Sequence, residues 1–497
     1  MRTPVAVAVP DSGTYPAPAS DRRGSNQSPE PHRPNLMAIH ARERVAAAAL
    51  AALAAAVWFP DGLDWPARAA LLAFGGAAIL WILTDLSAAY VAVAAAVFLV
   101  AVRAVEQRAL IEGLGSKVVW LVIGTFVLGA AVEKSGLADR LTAVIAGRGT
   151  TVGGLMWRLT LGIVPLAFLI PSTSGRATVL LPLHRSLTEA DDDPRLAKAV
   201  GLLIPALVVI STICSLTGAG SHLVTVDLLE RLSGQSIGFG QWMLWGLPFG
   251  MAACLITTFL IGRLFLDRQT RARRVAEIEA PSGPLSAREW RTGAVVLAML
   301  GLWLTEGYHP FGIATVAVVG AVVLTMPVVG VLDWDDGVKA VNWGLVLFIA
   351  ASLVLGRALI STGAAKWLIG SALSASGLDG DSPTLLILLG LSALSLSAHL
   401  YMVSHTARVV ALLPPLLLLA DRLGLNPVAV AFLANVGMDY CLTLPVSSKA
   451  LLIFQGTERP AWTARDLLRL GALLAPAYAA LMVAAYYLFW SQVGLSL

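Results

Sequence analysis

From Val45 onward the chain is a succession of apolar runs close to bilayer-crossing length, and two of them are broken near the middle by polar residues. Runs of about 20 apolar residues cross hydrocarbon as helices, because only intrahelical hydrogen bonds satisfy the backbone where there is no water. The run 165–183 is interrupted by PSTSG and the run 385–418 by AHLYMVSHTAR. Non-helical backbone at membrane depth persists only where protein or a water-filled cavity satisfies its polar groups. Each broken run therefore reads as two half-helices meeting at a polar tip. The fold expected is an all-α polytopic membrane protein, with about 11 transmembrane helices plus two re-entrant helical hairpins in two inverted-topology repeats. Composition agrees: 57% of the 497 residues are apolar and 13% charged, against roughly 25% charged in soluble domains, and the mean hydropathy is +0.76. The excess of positive charge, 35 Lys and Arg over 31 Asp and Glu, is small and scattered, which excludes a nucleic-acid partner. Cys214, Cys254 and Cys441 stand alone in apolar segments, without metal-ligand spacing.

Residues 1–42 are rich in Pro, Ser and Arg and read as a disordered, retained cytoplasmic tail. Residues 43–263 hold a leading helix and a first repeat with its tip near 172–176. Residues 264–291 form a polar linker in which Arg268, Arg271, Arg273 and Arg274 follow a helix end. The positive-inside rule makes this linker and the N-terminus cytoplasmic, and the membrane expected is the cytoplasmic (inner) one. Residues 292–497 form a second repeat with its tip near 404–408. The two tips align: Ser172, Arg176 and Leu180-Leu181-Pro182 fall in register with Ser404, Arg408 and Leu412-Leu413-Pro414. Upstream, LGAAVEKSGLADRL matches LGRALISTGAAKWL; downstream, the small-residue break 217–222 matches the break 445–449. Three matches in one order point to duplication. An odd number of crossings per half inverts the second copy, so the two tips approach the midplane from opposite faces, where transporters bind their ligand.

The polar tips carry usable chemistry. Hydroxyls and freed amides at a half-helix N-terminus bind anions, and hydroxyls and carbonyls coordinate hard cations. Ser172, Thr173, Ser174, Ser404 and Thr406 supply these groups. Arg176 and Arg408 face either an anionic substrate or a structural partner, since arginine in hydrocarbon needs one or the other. Lys449 in the second break is a candidate internal cation, and Asp439, ten residues earlier, pairs with it only if the chain bends. His222, His399 and His405 are candidate proton sites. No paired acids, zinc-type His-Glu-His spacing, nucleophile elbow or phosphate-binding Gly loop supports an enzyme.

At these residues the chain resembles the divalent anion:sodium symporter family, over nearly everything from Val45 to the C-terminus. That family carries Ser-Asn-Thr at both tips and a Thr-Pro-Pro-Asn-like turn in each broken helix. The resemblance implies a homodimer in the lipid bilayer, an elevator-like stroke, and a small anionic substrate of the dicarboxylate, citrate or sulfate class. It implies no cofactor beyond Na+ as coupling ion. It places sodium near Ser172 with Gly218 and near Ser404 with Ser447, and substrate contacts on Thr173, Ser174, Ala219, His405, Thr406, Ser448 and Lys449; Arg176 and Arg408 join the candidate substrate-binding residues on the cost of arginine in hydrocarbon. The chain departs from the family at both asparagines, now Thr173 and His405, and at both turns, now Ala219-Gly220-Ser221-His222 and Ser448-Lys449-Ala450-Leu451. An ammonium beside one cation site can replace a bound sodium electrostatically. The alternatives are therefore a sodium-independent exchanger, a proton-coupled carrier, or a cation/proton or metalloid-oxyanion transporter of the same superfamily. A non-transporting receptor built on the fold is a further rival.

Overall fold

The computed structural model describes residues 36–497 apart from 60–62, 147–149, 171, 190–192, 276–282, 366, 368–382 and 456–460. Most of the tail expected to be disordered lies outside the described residues; its last residues belong to a helix that starts at Leu36.

The first half contributes α1 (Leu36–Trp58), α2 (Trp65–Leu83), α3 (Ala88–Ala101), α4 (Lys117–Lys134), α5 (Val152–Leu169), α6 (Thr173–Glu189), α7 (Pro194–Ile210), α8 (Gly220–Ser233) and α9 (Phe239–Phe265). The second contributes α10 (Ala287–Leu304), α11 (Ile313–Thr325), α12 (Trp343–Ser361), α13 (Thr384–Tyr401), α14 (His405–Leu423), α15 (Pro427–Asp439), α16 (Lys449–Gln455) and α17 (Ala464–Leu488). Short helices such as Arg108–Leu114 and Trp334–Ala340 join them. Among the described residues eight helices are long and apolar enough to cross a membrane, and three more are shorter apolar helices. Large apolar side chains such as Trp120, Leu161, Leu297, Val319 and Leu389 are exposed on the outer faces, as helices solvated by lipid require.

The order of the second half repeats the first. α5 and α6 form one hairpin, α13 and α14 the other, and each is followed by a helix broken in mid-course: α7 into α8, α15 into α16. The halves also exchange partners, because α4 packs on α11 and α12 on α3. Small residues allow the close approach that drives helix association in lipid. Gly124 of α4 lies so near α11 that an added Cβ would meet the Ala317 carbonyl at 2.8 Å. Ala92 and Ala96 of α3 are fully buried.

Ion pairs sort the helix ends onto two faces. On the linker face Lys134 pairs with Asp336 (2.5 Å), Arg140 with Glu289 (2.6 Å), Lys198 with Asp466 (3.1 Å) and Arg195 with Asp267; Thr151, which caps α5, bridges to Arg274. On the opposite face Lys117 pairs with Glu230 (3.4 Å) and Arg357 with Glu112. The hairpin of α5 and α6 therefore opens from the linker face. α12 runs from beside Asp336 to Arg357, so the hairpin that follows opens from the other. The two repeats are inverted.

Candidate functional site

Both tips are built alike. The first arm ends in extended backbone, at Ile170 in one hairpin and Met402 in the other, and a serine then opens the return helix. Ser172 Oγ accepts from the Gly175 amide at 3.2 Å, and Ser404 Oγ from the Ala407 amide at 3.3 Å. Each serine satisfies one orphan amide of a helix N-terminus, leaving the other amides of that turn and the positive dipole end directed at the tip. Thr173, Ser174 and His405 are half-buried there, whereas Thr406 is buried.

The helix breaks lie behind the tips. α7 ends at Ile210 and passes through 3-10 turns at Ser211–Cys214 and Leu216–Gly218 before α8 begins. α15 ends at Asp439 and the chain passes through a 3-10 turn at Pro445–Ser447 before α16. Gly218 must be glycine, since a Cβ there would lie 2.2 Å from the Thr212 carbonyl oxygen. Ala219 and Ser448, both in extended backbone, are buried, and Lys449 at the start of α16 is exposed.

Arg176 and Arg408 tie each tip to its own break. Both side chains are fully buried. Arg176 donates to Ser211 Oγ (3.1 Å) and to the Gly218 carbonyl (2.9 Å). Arg408 donates to the carbonyls of Met402 (2.7 Å), Met438 (2.7 Å), Val403 (3.3 Å) and Ser447 (3.1 Å). A planar fork of five N–H groups suits several carbonyls at once. Of the two orientations open to these arginines, the structure has the inward, structural one.

Asp439 joins the halves. Its Oδ2 lies 2.5 Å from His222 Nε2 and accepts from Asn435 Nδ2 at 3.1 Å; its Oδ1 accepts from Ser221 Oγ at 3.0 Å and lies 3.5 Å from His405 Nδ1. His222 is fully buried and stacks on Trp242, with ring centroids 4.6 Å apart. Asp439 thus meets two histidines rather than Lys449. Ser221, from the break read in the sequence, belongs to this assembly, as do Ser211, Asn435 and Cys441, the last with Sγ 3.4 Å from His405 Nε2; these three have no signal in the sequence beyond being polar or thiol groups in apolar runs. His399 lies outside it, packed edge-on against Tyr440 at 5.3 Å.

The residues expected near sodium are therefore occupied as follows. The carbonyls of Gly218 and Ser447 accept from guanidinium groups, and the hydroxyls of Ser172 and Ser404 cap helices. A guanidinium carries the charge that a sodium ion would bring and takes one lone pair of each of these carbonyl oxygens, so a sodium ion at the same oxygens would meet a buried positive charge already bonded to them. A surface cavity lined by Lys134, Arg288 and Trp334 shares no residue with either tip.

Residues 40–496 match the model of the sodium:sulfate symporter transmembrane region. The chain is 28% identical over 461 residues to a membrane protein of Cupriavidus necator, covering 90% of this chain and 87% of the relative. It is 26% identical over 403 residues to the L-tartrate/succinate antiporter of Escherichia coli K12, covering 78% and 80%. In fold it is similar to the crystal structure of the Alcanivorax borkumensis YdaH transporter, of unusual topology, with a TM-score of 0.54, 15% identity, and coverage of 78% of this chain and 88% of that one.

Proposed function

The chain belongs to the sodium:sulfate symporter family of anion transporters, and from that premise we propose that it is a secondary transporter that exchanges small divalent anions of the dicarboxylate class without sodium. The observation that carries this reading is the pair of buried guanidinium groups on the Gly218 and Ser447 carbonyls. Two fixed positive charges stand where the family resemblance puts two mobile ones. A carrier with permanent internal charge has no need of a cation to bind an anion, but its empty form retains that buried charge unneutralised. Crossing hydrocarbon empty is then costly, and crossing loaded with a divalent anion is not. Obligatory exchange follows from that asymmetry. The relative named as an L-tartrate/succinate antiporter supports both the exchange mode and the substrate class.

The anion lies between the tips, held by the first-turn amides of α6 and α14 and by Thr173, Ser174, His405 and Thr406. Lys449 adds charge at the exposed start of α16, and Ala219 and Ser448 provide the floor. Arg176 ties the first tip to its break, Arg408 does the same in the second half, and Asp439 joins both. These ties make the hairpins and broken helices one body that moves past the remaining helices in an elevator-like stroke. The protein works as a homodimer in the cytoplasmic membrane with its N-terminus in the cytoplasm.

The test is counterflow in proteoliposomes preloaded with succinate, with labelled succinate, tartrate, citrate or sulfate outside. Uptake of a dicarboxylate should require an internal anion and be unchanged when choline replaces sodium. Collapse of uptake in choline would sink the exchange reading.

A further inference from the structure

The hydrogen bonds of His222 fix how many protons the core between the tips holds. Its Nδ1 lies 2.9 Å from the carbonyl oxygen of Ser215. A carbonyl has no proton to give, so Nδ1 carries a hydrogen and donates it. Its Nε2 lies 2.5 Å from Asp439 Oδ2. In a neutral imidazole protonated at Nδ1, Nε2 presents a bare lone pair, and a bare lone pair cannot face an ionised carboxylate oxygen at that separation. One further proton lies between them, either as imidazolium with carboxylate or as imidazole with carboxylic acid. The surroundings supply no other source for it. Ser221 and Asn435 already donate to Asp439, and Trp242 covers the His222 ring.

We propose that His222 and Asp439 are a proton-binding site shared by the two repeats, and that the proton held there sets the charge the buried core offers to an anion. With the proton in place the pair is neutral, and the two buried guanidinium groups of Arg176 and Arg408 leave a sum of two fixed positive charges, matching a divalent anion, to which any charge on His405 or Lys449 adds in either state. Without it the carboxylate of Asp439 reduces the sum to one. Proton and anion therefore favour each other's binding, and the coupling is reciprocal. The other groups facing the pair are His405 and Arg408 from α14, Arg176 from α6, Tyr440 and Cys441 beyond α15, and Tyr478 of α17, whose hydroxyl donates to the Val436 carbonyl at 3.1 Å; Cys214 and Cys254 stand beside Arg176. His399 of α13 stands behind Tyr440. Asp439 is the one carboxylate among them. The charge-matching half of the proposal rests on the anion-exchange reading, whereas the existence of the proton does not.

The experiment uses full-length protein in lipid bilayers, with 15N-histidine and 13C-aspartate labels, read by solid-state NMR and infrared spectroscopy at pH 7. The expected result is either one histidine protonated at both ring nitrogens, lost in His222→Gln, or one protonated carboxyl band, lost in Asp439→Asn. A neutral His222 beside an ionised Asp439 in the wild type overturns the site, and the labels on wild-type protein give this answer even if neither variant folds. Succinate affinity is then measured calorimetrically from pH 7 to 10, where succinate itself is fully ionised. Wild-type affinity should fall toward about tenfold per pH unit once the pair loses its proton, whereas Asp439→Asn, which keeps both guanidinium charges and has no titrating carboxylate, should fall less steeply, by no more than His405 and Lys449 contribute. If the pair loses its proton within that range and wild-type affinity stays flat, the coupling is overturned; if the proton is held throughout, the core charge cannot vary and the coupling is equally overturned. If succinate, tartrate, citrate and sulfate all fail to bind, the substrate class falls, and the spectra still decide the proton.

Discussion

Arg408 donates to the backbone carbonyl of Ser447 at 3.1 Å, spanning the gap between the second hairpin tip and the helix break behind it. The other nitrogens of the same guanidinium take the carbonyls of Met402 and Met438. Removing the fork strands buried acceptors from three separate segments. Arg408→Gln should therefore lower stability by about 3–5 kcal/mol, read as a fall in Tm in detergent. Arg408→Lys should recover little of it, because one ammonium cannot reach all the carbonyls. A lysine variant as stable as wild type would show that charge alone suffices.

The first half offers the complementary test. Arg176→Ser removes a guanidinium and leaves the Gly218 carbonyl, the Ser211 hydroxyl and a new hydroxyl around a small polar cavity, a donor set suited to a hard cation. Wild-type Tm should be the same in sodium and in choline, and the variant should be stabilised by sodium over choline. With sodium at 100 times its dissociation constant the gain is about 2.7 kcal/mol. Equal Tm values for the variant in the two salts would refute the idea that arginine stands in a cation position.

Two glycine substitutions separate close packing from helix propensity. Gly246 of α9 faces the 3-10 turn, where an added Cβ would lie 2.2 Å from the Ile213 carbonyl oxygen, the same oxygen that accepts from Trp242 Nε1 at 3.0 Å. Gly246→Ala should cost about 1–3 kcal/mol. Gly301 of α10 has nothing within 4 Å, so Gly301→Ala should be neutral or stabilise by up to about 1 kcal/mol. Thermal unfolding of the two variants side by side checks both signs.

At the polar start of α10, the backbone amide of Ser286 and then the Arg140 guanidinium and Ser286 hydroxyl hold the Glu289 carboxyl down from its ordinary 4.5 to about 2. A carboxyl lowered by folding stabilises the folded state above its unfolded value and loses that contribution as pH falls through the folded one. The stability advantage of wild type over Glu289→Gln should be constant from pH 8 to about 5 and shrink between 4.5 and 2. An advantage undiminished at pH 2 would count against the linkage.

The sequence made the scaffold of this site legible and left its wiring hidden, for a physical reason. Polar residues inside apolar runs are conspicuous because hydrocarbon tolerates so few of them, so both tips, both breaks and the inverted order of the halves could be read from Ser172, Ser404 and the two Leu-Leu-Pro segments. Direction is another matter. The same spacing allows Arg176 to face an anion or the Gly218 carbonyl, and a guanidinium on a long stem chooses by the nearest unsatisfied acceptors, which exist only once the breaks have folded. Asp439 illustrates the second limit. Its partners Ser221 and His222 belong to the other half of the chain, and no local pattern in one half announces what the other will bring to it. Helix starts were also blurred: α1 begins before Val45 because nothing between Leu36 and Val45 stops a helix, although Arg42, Glu43 and Arg44 interrupt the apolar run there.

The bridge between His222 and Asp439 also has a consequence for how the protein is made. Arg176 finds its carbonyl within the first half, although α6 also packs on α16 of the second, with His184 edge-on to Phe454 at 5.3 Å. His222 cannot be completed in the same way. Until α15 emerges from the ribosome and is inserted, the imidazole that faces Asp439 in the finished protein stands open, and α3 and α4 lack the helices that cover them. The half-made chain is thus an incomplete body with an unfilled polar core, and its maturation waits on the last third of its own translation.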